Sequence, residues 1–155
     1  MLALLAVPAL VQAAAMLADE GWFHRQRGLP RWERIGHPLD TLSTALCYAW
    51  LLASRPESAH ALGVYVGLAL FSCLFITKDE FVHAELCEPM ESWLHSVLFV
   101  MHPVVLMSFG FVWWSDAPAA RWILLAQLLL TLGFASYQVL YWSVFWKQPL
   151  KPVDL

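Results

Sequence analysis

A chain of 155 residues that is 60% hydrophobic and only 14% charged is too apolar for an ordinary soluble domain, where about a quarter of residues are charged. The formal net charge of −3 excludes the basic footprint that nucleic acid requires. Cys47, Cys73 and Cys87 share no CxxC spacing and cannot pair evenly, so they build neither a disulfide framework nor a zinc knuckle.

In chain order, the first apolar run covers about residues 2–20. Ala13-Ala14-Ala15 resembles a leader cleavage site, but no Lys or Arg precedes Arg25, so a retained helix is expected. The stretch HRQRGLPRWERIG follows as a basic connection. A second helix is predicted over 37–53, with Pro38 tolerated in its first turn. Further apolar runs cover about 61–78, 92–114 and 121–146, each near the roughly 20 residues needed to span a bilayer. Gly63 and Gly67 form a GxxxG pair that would suit close helix packing. Trp32, Trp93, Trp113, Trp114, Trp122, Trp142 and Trp146 fall near the proposed ends, as in an interfacial aromatic belt. The last run has no ionisable side chain between Trp122 and Trp146 except at its tyrosines, and is expected at the periphery.

The expected fold is therefore an all-α integral membrane protein, one domain over 1–155 with five transmembrane helices. Four form a bundle core with a metal site at its cytoplasmic end, and one is peripheral. With five spans, Arg25, Arg27, Arg31, Arg34, Lys78, Lys147 and Lys151 share one side, while Arg55 and Arg121 share the other. The positive-inside rule then places the amino terminus outside and the carboxyl terminus in the cytoplasm of an inner or plasma membrane.

This topology gathers reactive side chains at one depth. The first helix ends with Asp19, Glu20 and, one turn further, His24, the second begins with His37 and Asp40, the third ends with Asp79, Glu80 and His83, and the fourth begins with Glu91 and His95. Glu20/His24, Asp79/His83 and Glu91/His95 are four apart, while His37/Asp40 and Glu80/His83 are three apart, so each pair shares a helix face. His60 lies on the opposite side. His102 is two turns deeper than His95, where an ionisable group calls for a function, as an outer-sphere group or proton relay. Glu88, directly before Pro89, reads as a cap or outer ligand, and Glu85 as solvated.

Carboxylates that chelate or bridge, with imidazoles in terminal positions, are the donor set of a dinuclear centre, as in soluble di-iron bundles. Metal ligands are thus expected at Glu20, His24, His37, Asp40, Asp79, Glu80, His83, Glu91 and His95, with Asp79 or Glu88 as a catalytic base. Oxygen and nitrogen donors suit two divalent ions, iron slightly ahead of zinc, with manganese a further fit. The function read from this is a membrane-embedded metal-dependent enzyme, a di-iron oxidoreductase of hydroxylase, desaturase or oxidase type. Its substrate would be a hydrophobic or lipid-like molecule, and an iron centre would need an electron-donor protein. The alternatives are a zinc-dependent membrane hydrolase, a non-enzymatic metal-binding, sensor or transport protein, and a haem-binding cytochrome. The last leaves the carboxylates without a role.

Overall fold

A computed structural model describes residues 5–146, apart from the side chain of Val82. These residues form five helical stretches. The first joins α1 (Val7–Ala18), a wider π-helical turn (Asp19–Phe23) and α2 (His24–Arg27). The second is α3 (Arg31–Ala53). The third joins α4 (Ala59–Phe75), a tight 3-10 turn (Ile76–Asp79) and α5 (Glu80–Leu86). The fourth is α6 (Pro89–Trp114), and the fifth is α7 (Ala120–Leu140) ending in a second π-helical turn (Tyr141–Phe145).

Three of these stretches, Ala59–Leu86, Pro89–Trp114 and Ala120–Phe145, are long and apolar enough to cross a membrane. They support an integral-membrane location, and their outer faces leave Leu70, Phe71, Leu74, Leu129 and Leu130 exposed, a surface suited to lipid. The five-span expectation, with four helices in the core and one at the edge, does not hold. In the first stretch α1 has only 12 residues before acidic and basic residues begin. In α3, Arg31, Glu33, Arg34 and Asp40 occupy the first ten positions.

The fifth helix is not peripheral either. It makes its most extensive packing with α3, burying a stripe of Leu124, Thr131, Ala135, Gln138 and Trp142. Thr41 on α3 donates to Gln138 Oε1 at 2.8 Å. Absence of charge was a poor guide, because this helix packs through small and neutral polar side chains.

α3 begins at Arg31 rather than His37, more than one and a half turns earlier than expected. Pro30 precedes it with extended backbone and fixes the start, while Pro38 lies inside the helix. The aromatic belt is only partly present: Trp32, Trp93, Trp114 and Trp122 are exposed, but Trp113 and Trp142 are buried. Gly63 and Gly67 face open space, so the GxxxG pair packs against nothing described. The close approach occurs at Gly110 instead, where an added Cβ would lie 2.9 Å from Tyr65 Cε1. Lys147 and Lys151, and the start of the first predicted span, lie outside the described residues.

The apolar core occupies one half of the molecule, where Tyr48, Leu51, Leu106, Phe109, Val112 and Leu124 interlock. The other half, where α1, α3, α4 and α6 present their charged ends, is filled differently.

Candidate metal centre

Local backbone geometry positions the first ligand candidates. In the π-helical turn the His24 N–H returns to the Asp19 carbonyl, five residues back. The extra residue in the turn brings Asp19, Glu20 and His24 into the interior together, and all three are buried. The His24 ring then lies with Nδ1 3.0 Å from Glu20 Oε2 and Nε2 3.2 Å from Asp19 Oδ2. Trp142, carried by the second π-helical turn, donates its indole N–H to Glu20 Oε1.

Four imidazoles from four helical stretches form a closed ring. His24 stacks on His37 with centroids 4.9 Å apart, and His83 stacks on His95 at 4.1 Å. His24–His95 and His37–His83 close the circuit at 6.1 and 6.2 Å. Carboxylates surround this ring. Asp19 Oδ2 lies 3.1 Å from His95 Nε2, and Glu33 Oε1 lies 3.4 Å from His83 Nε2. Glu91 Oε1 is 3.8 Å from His24 Nε2. Two ligands about 2.1 Å from one ion and about 90–109° apart are themselves roughly 3.0–3.4 Å apart, so these separations are close to those of donors sharing a cation.

Four groupings have ligand atoms mutually within 4.8 Å: Asp19/His24/Glu91/His95, Glu20/His24/His37, Glu33/His37/His83 and His83/Cys87/His95. Each can hold one metal ion. The first and third share no residue. Both ring nitrogens of His83 are buried without a hydrogen-bond partner, and His24 Nε2 has no aligned one. Buried polar atoms rarely stay so unless something else satisfies them.

Charge points the same way. Asp19, Glu20, Glu33, Asp40, Asp79 and Glu91 are buried or half-buried, and the permanently charged cations paired with members of this set are Arg27 and Lys78. An excess of four negative charges is costly in a low-dielectric interior unless cations offset it. Protonating all four imidazoles would instead stack like charges at 4.1 Å.

Arg27 holds the carboxylates of two groupings at once. It donates from Nε and Nη2 to Glu91 Oε1 at 3.2 and 3.0 Å, and from Nη1 and Nη2 to Glu33 at 3.3 and 2.9 Å. Burial works against its charge, but the two carboxylates outweigh that and raise its pKa. Glu33 is raised by burial, against the lowering effect of Arg27.

Of the residues expected as ligands, Glu20, His24, His37, His83, Glu91 and His95 come together. Asp40 and Asp79 lie at the edge of the cluster, bound by Lys78 Nζ at 2.6–2.7 Å and 2.9 Å. Gly36 makes room for that lysine, since a Cβ there would stand 3.2 Å from Nζ. Asp79 Oδ2 remains 3.9 Å from His37 Nε2. Glu80 is exposed and joins no grouping among the described residues. Glu88 is the exposed N-cap residue of α6, with no side-chain capping bond. His102 belongs to a separate polar network, with Nε2 3.0 Å from Ser72 Oγ and Nδ1 3.4 Å from Gln12 Nε2. His60 is exposed in the first turn of α4, away from the cluster.

Sequence reasoning left Glu33 and Arg27 out of the site, and placed Asp19 at the converging helix end but left it out of the ligand set. Glu33 and His37 are four apart, the same signal used for the other pairs, and were separated only by starting α3 too late. Asp19 and His24 are five apart, a spacing that places residues on different faces of a regular α-helix.

A cavity of about 380 Å3 opens from the histidine ring towards the flank between α1 and α7. His24, His37, His83 and His95 line its inner end, and exposed Leu10, Leu17 and Leu130 line its rim. No known protein family, curated protein or solved structure matches this chain. The chemistry of the site is the guide to its function.

The ring also sets a pH dependence. Burial disfavours the His24 imidazolium, but its hydrogen bond to Glu20 and the charge of Asp19 prevail and raise its pKa. In metal-free protein this contributes stability that is fully present below about pH 6.5 and lost as pH rises through the raised value. A metal needs the ring neutral, so it competes with that ion pair. The expected result is a Tm that falls as pH rises above about 6.5 without metal and holds or rises with metal bound. Parallel pH profiles with and without added iron or zinc would remove His24 from the ligand set.

Proposed function

We propose that the protein is a membrane-embedded metalloenzyme with two divalent ions, acting on a small hydrophobic substrate. The observation that carries this reading is the closed ring of four buried imidazoles, surrounded by four more negative charges than Arg27 and Lys78 offset. Two divalent ions neutralise that excess. One ion would take Asp19, His24, Glu91 and His95, and the other Glu33, His37 and His83, with Glu20 able to bridge towards either. Arg27, holding Glu33 and Glu91, would orient a ligand of each ion.

An enzyme fits better than a carrier or sensor because the imidazoles face a cavity with access from outside the bundle. A storage or structural site is normally closed, whereas a catalytic one keeps a position open. Asp79 lines the cavity beside His37, which supports it as the carboxylate that would accept a proton once released from Lys78. Glu88 lacks that access.

The carboxylate-rich donor set favours iron and an oxidoreductase. Hydroxylation of a substrate C–H bond would place one atom of dioxygen in the product and release the other as water. That step takes two electrons and two protons from an external donor, so a separate electron-donor protein is part of this reading. Zinc and hydrolysis form the second reading, favoured by one grouping alone: His83, Cys87 and His95 offer a thiol with two imidazoles, with Cys87 Sγ 4.0 Å from His95 Nδ1. Arg25, Arg27, Arg31, Arg34 and Lys78 stand at the site end and Arg55 and Arg121 at the other, which argues for a cytoplasmic metal centre.

Elemental analysis of detergent-purified protein lacking a histidine tag is the test. About two ions per chain are expected, predominantly iron, with weak charge-transfer absorption and no Soret band. Less than about 0.2 equivalents of any transition metal after reconstitution with iron, zinc and manganese would end the metalloenzyme reading.

A further inference from the structure

The cavity carries information about its occupant that the metal cluster does not. It runs along α1 and the following π-helical turn from Ala9 to Glu20 and along α6 from His95 to Val105. At a rise of 1.5 Å per residue, each wall is roughly 15 Å long, which matches an extended chain of about twelve carbons. Its volume of about 380 Å3 is near the lower end for small-molecule sites, too small for a two-chain lipid. Alanines on α1 create the space: Ala9 and Ala13, one turn apart, both line it.

Its polarity is distributed unevenly. The inner end holds the histidine ring. Next to His102, Gln12 also lines the cavity, and its Oε1 is buried without a hydrogen-bond partner. Gln12 Nε2 faces His102 Nδ1, and His102 Nε2 faces Ser72, so the amide carbonyl is the unfilled member of this network. Turning the amide over would leave a donor unfilled instead. A hydroxyl, which both donates and accepts, answers either arrangement. Gln12 lies seven residues from Asp19, about 10 Å along the helix.

No lysine or arginine lines the cavity among the described residues, while Asp19, Glu20, Asp40 and Asp79 do. A fatty carboxylate or a phosphate headgroup would enter without a counter-charge and meet acidic groups. A neutral headgroup avoids that cost.

We propose that this cavity binds a single-chain neutral lipid alcohol, admitted between α1 and α7, with its hydroxyl on Gln12, the carbons about 10 Å along its chain beside the histidine ring and its remaining tail at the rim. The assignment of those carbons as the reacting ones rests on the metalloenzyme reading above. Binding itself does not.

The test is equilibrium binding of radiolabelled 1-dodecanol to metal-reconstituted protein in phosphatidylcholine nanodiscs, corrected for empty discs, with metal content measured on the same samples. One saturable site per chain is expected. Gln12→Leu should weaken it about fivefold, the effect of one neutral hydrogen bond. Ala13→Trp should abolish binding by filling the space, and both variants should keep their metal. Dodecanoate should compete at least about tenfold less well than the alcohol, for want of a cationic partner.

No saturable site in wild-type protein that holds its metal would overturn the proposal and leave the metal reading standing. So would equal or better competition by dodecanoate, or unchanged affinity in both variants. Saturable binding with the expected variant effects in protein devoid of metal would support the cavity assignment and count against the metalloenzyme alone.

Discussion

In the His83→Ala variant, bound metal is expected to fall from about two ions per chain to about one, with little loss of metal-free stability. His83 is the residue whose replacement should separate these effects most cleanly. Both its ring nitrogens are buried without a hydrogen-bond partner, so truncation breaks no described hydrogen bond. It does remove the stacked partner of His95 and one of the two imidazoles in the Glu33/His37/His83 grouping. The Asp19/His24/Glu91/His95 grouping is left whole. His60→Ala, at an exposed position on the opposite end, is the control and should retain both ions. Elemental analysis of the three proteins, prepared alike, checks the prediction. Wild-type stoichiometry in His83→Ala would exclude that histidine as a ligand.

Arg27→Gln should give the largest loss of stability. Glu33 and Glu91 are almost wholly buried, and the guanidinium serves both. Removing one partner of a buried pair typically costs about 3–5 kcal/mol because a charge is left without compensation. The Arg27 side chain is 17% exposed, so solvent screening moves the expectation to the lower end, about 3 kcal/mol. Lysine at this position should recover only part, since an ammonium cannot reproduce the fork that grips two carboxylates. Added metal should offset the loss more in Arg27→Gln than in wild type, because a divalent ion supplies the missing positive charge. Unfolding of each variant with and without metal measures all of this. An Arg27→Gln protein as stable as wild type in metal-free buffer would mean that the guanidinium does not hold these carboxylates together.

The two experiments probe different features of the site. The histidine ring includes unfilled nitrogens, both of His83 and Nε2 of His24, that suit a cation. The arginine gives the carboxylates a partner inside the protein, which helps the site form before a metal arrives and then orients the ligands.

How much of this was legible beforehand can be followed residue by residue. Glu20/His24 and Glu91/His95 were readable because i,i+4 spacing on a regular helix is a local property. Their convergence with His37 and His83 followed from counting helix ends, and that part survived even though five spans did not. The spans failed because the first two helical stretches carry charged residues within the helix, Asp19 and Glu20 in one and Glu33 and Asp40 in the other, which leaves neither a long enough apolar run. Glu33 was hidden by Pro38, read as a first-turn proline when Pro30 is the one that starts the helix. Asp19 was hidden by the π-helical turn, whose single extra residue no α-periodic pattern contains.

Sequence by itself determined the all-helical, lipid-suited character of this protein and the supply of imidazole and carboxylate at one end, because composition and short-range spacing are written directly in the chain. Tertiary structure alone decided which acids face the histidines and which are held by Lys78, that Arg27 links two groupings, that the last helix packs one face along α3, and that Ala9 and Ala13 leave a cavity beside the ring. These depend on helix rotation and register, where a shift of one residue turns a side chain by about 100° and exchanges a ligand for a solvated acid.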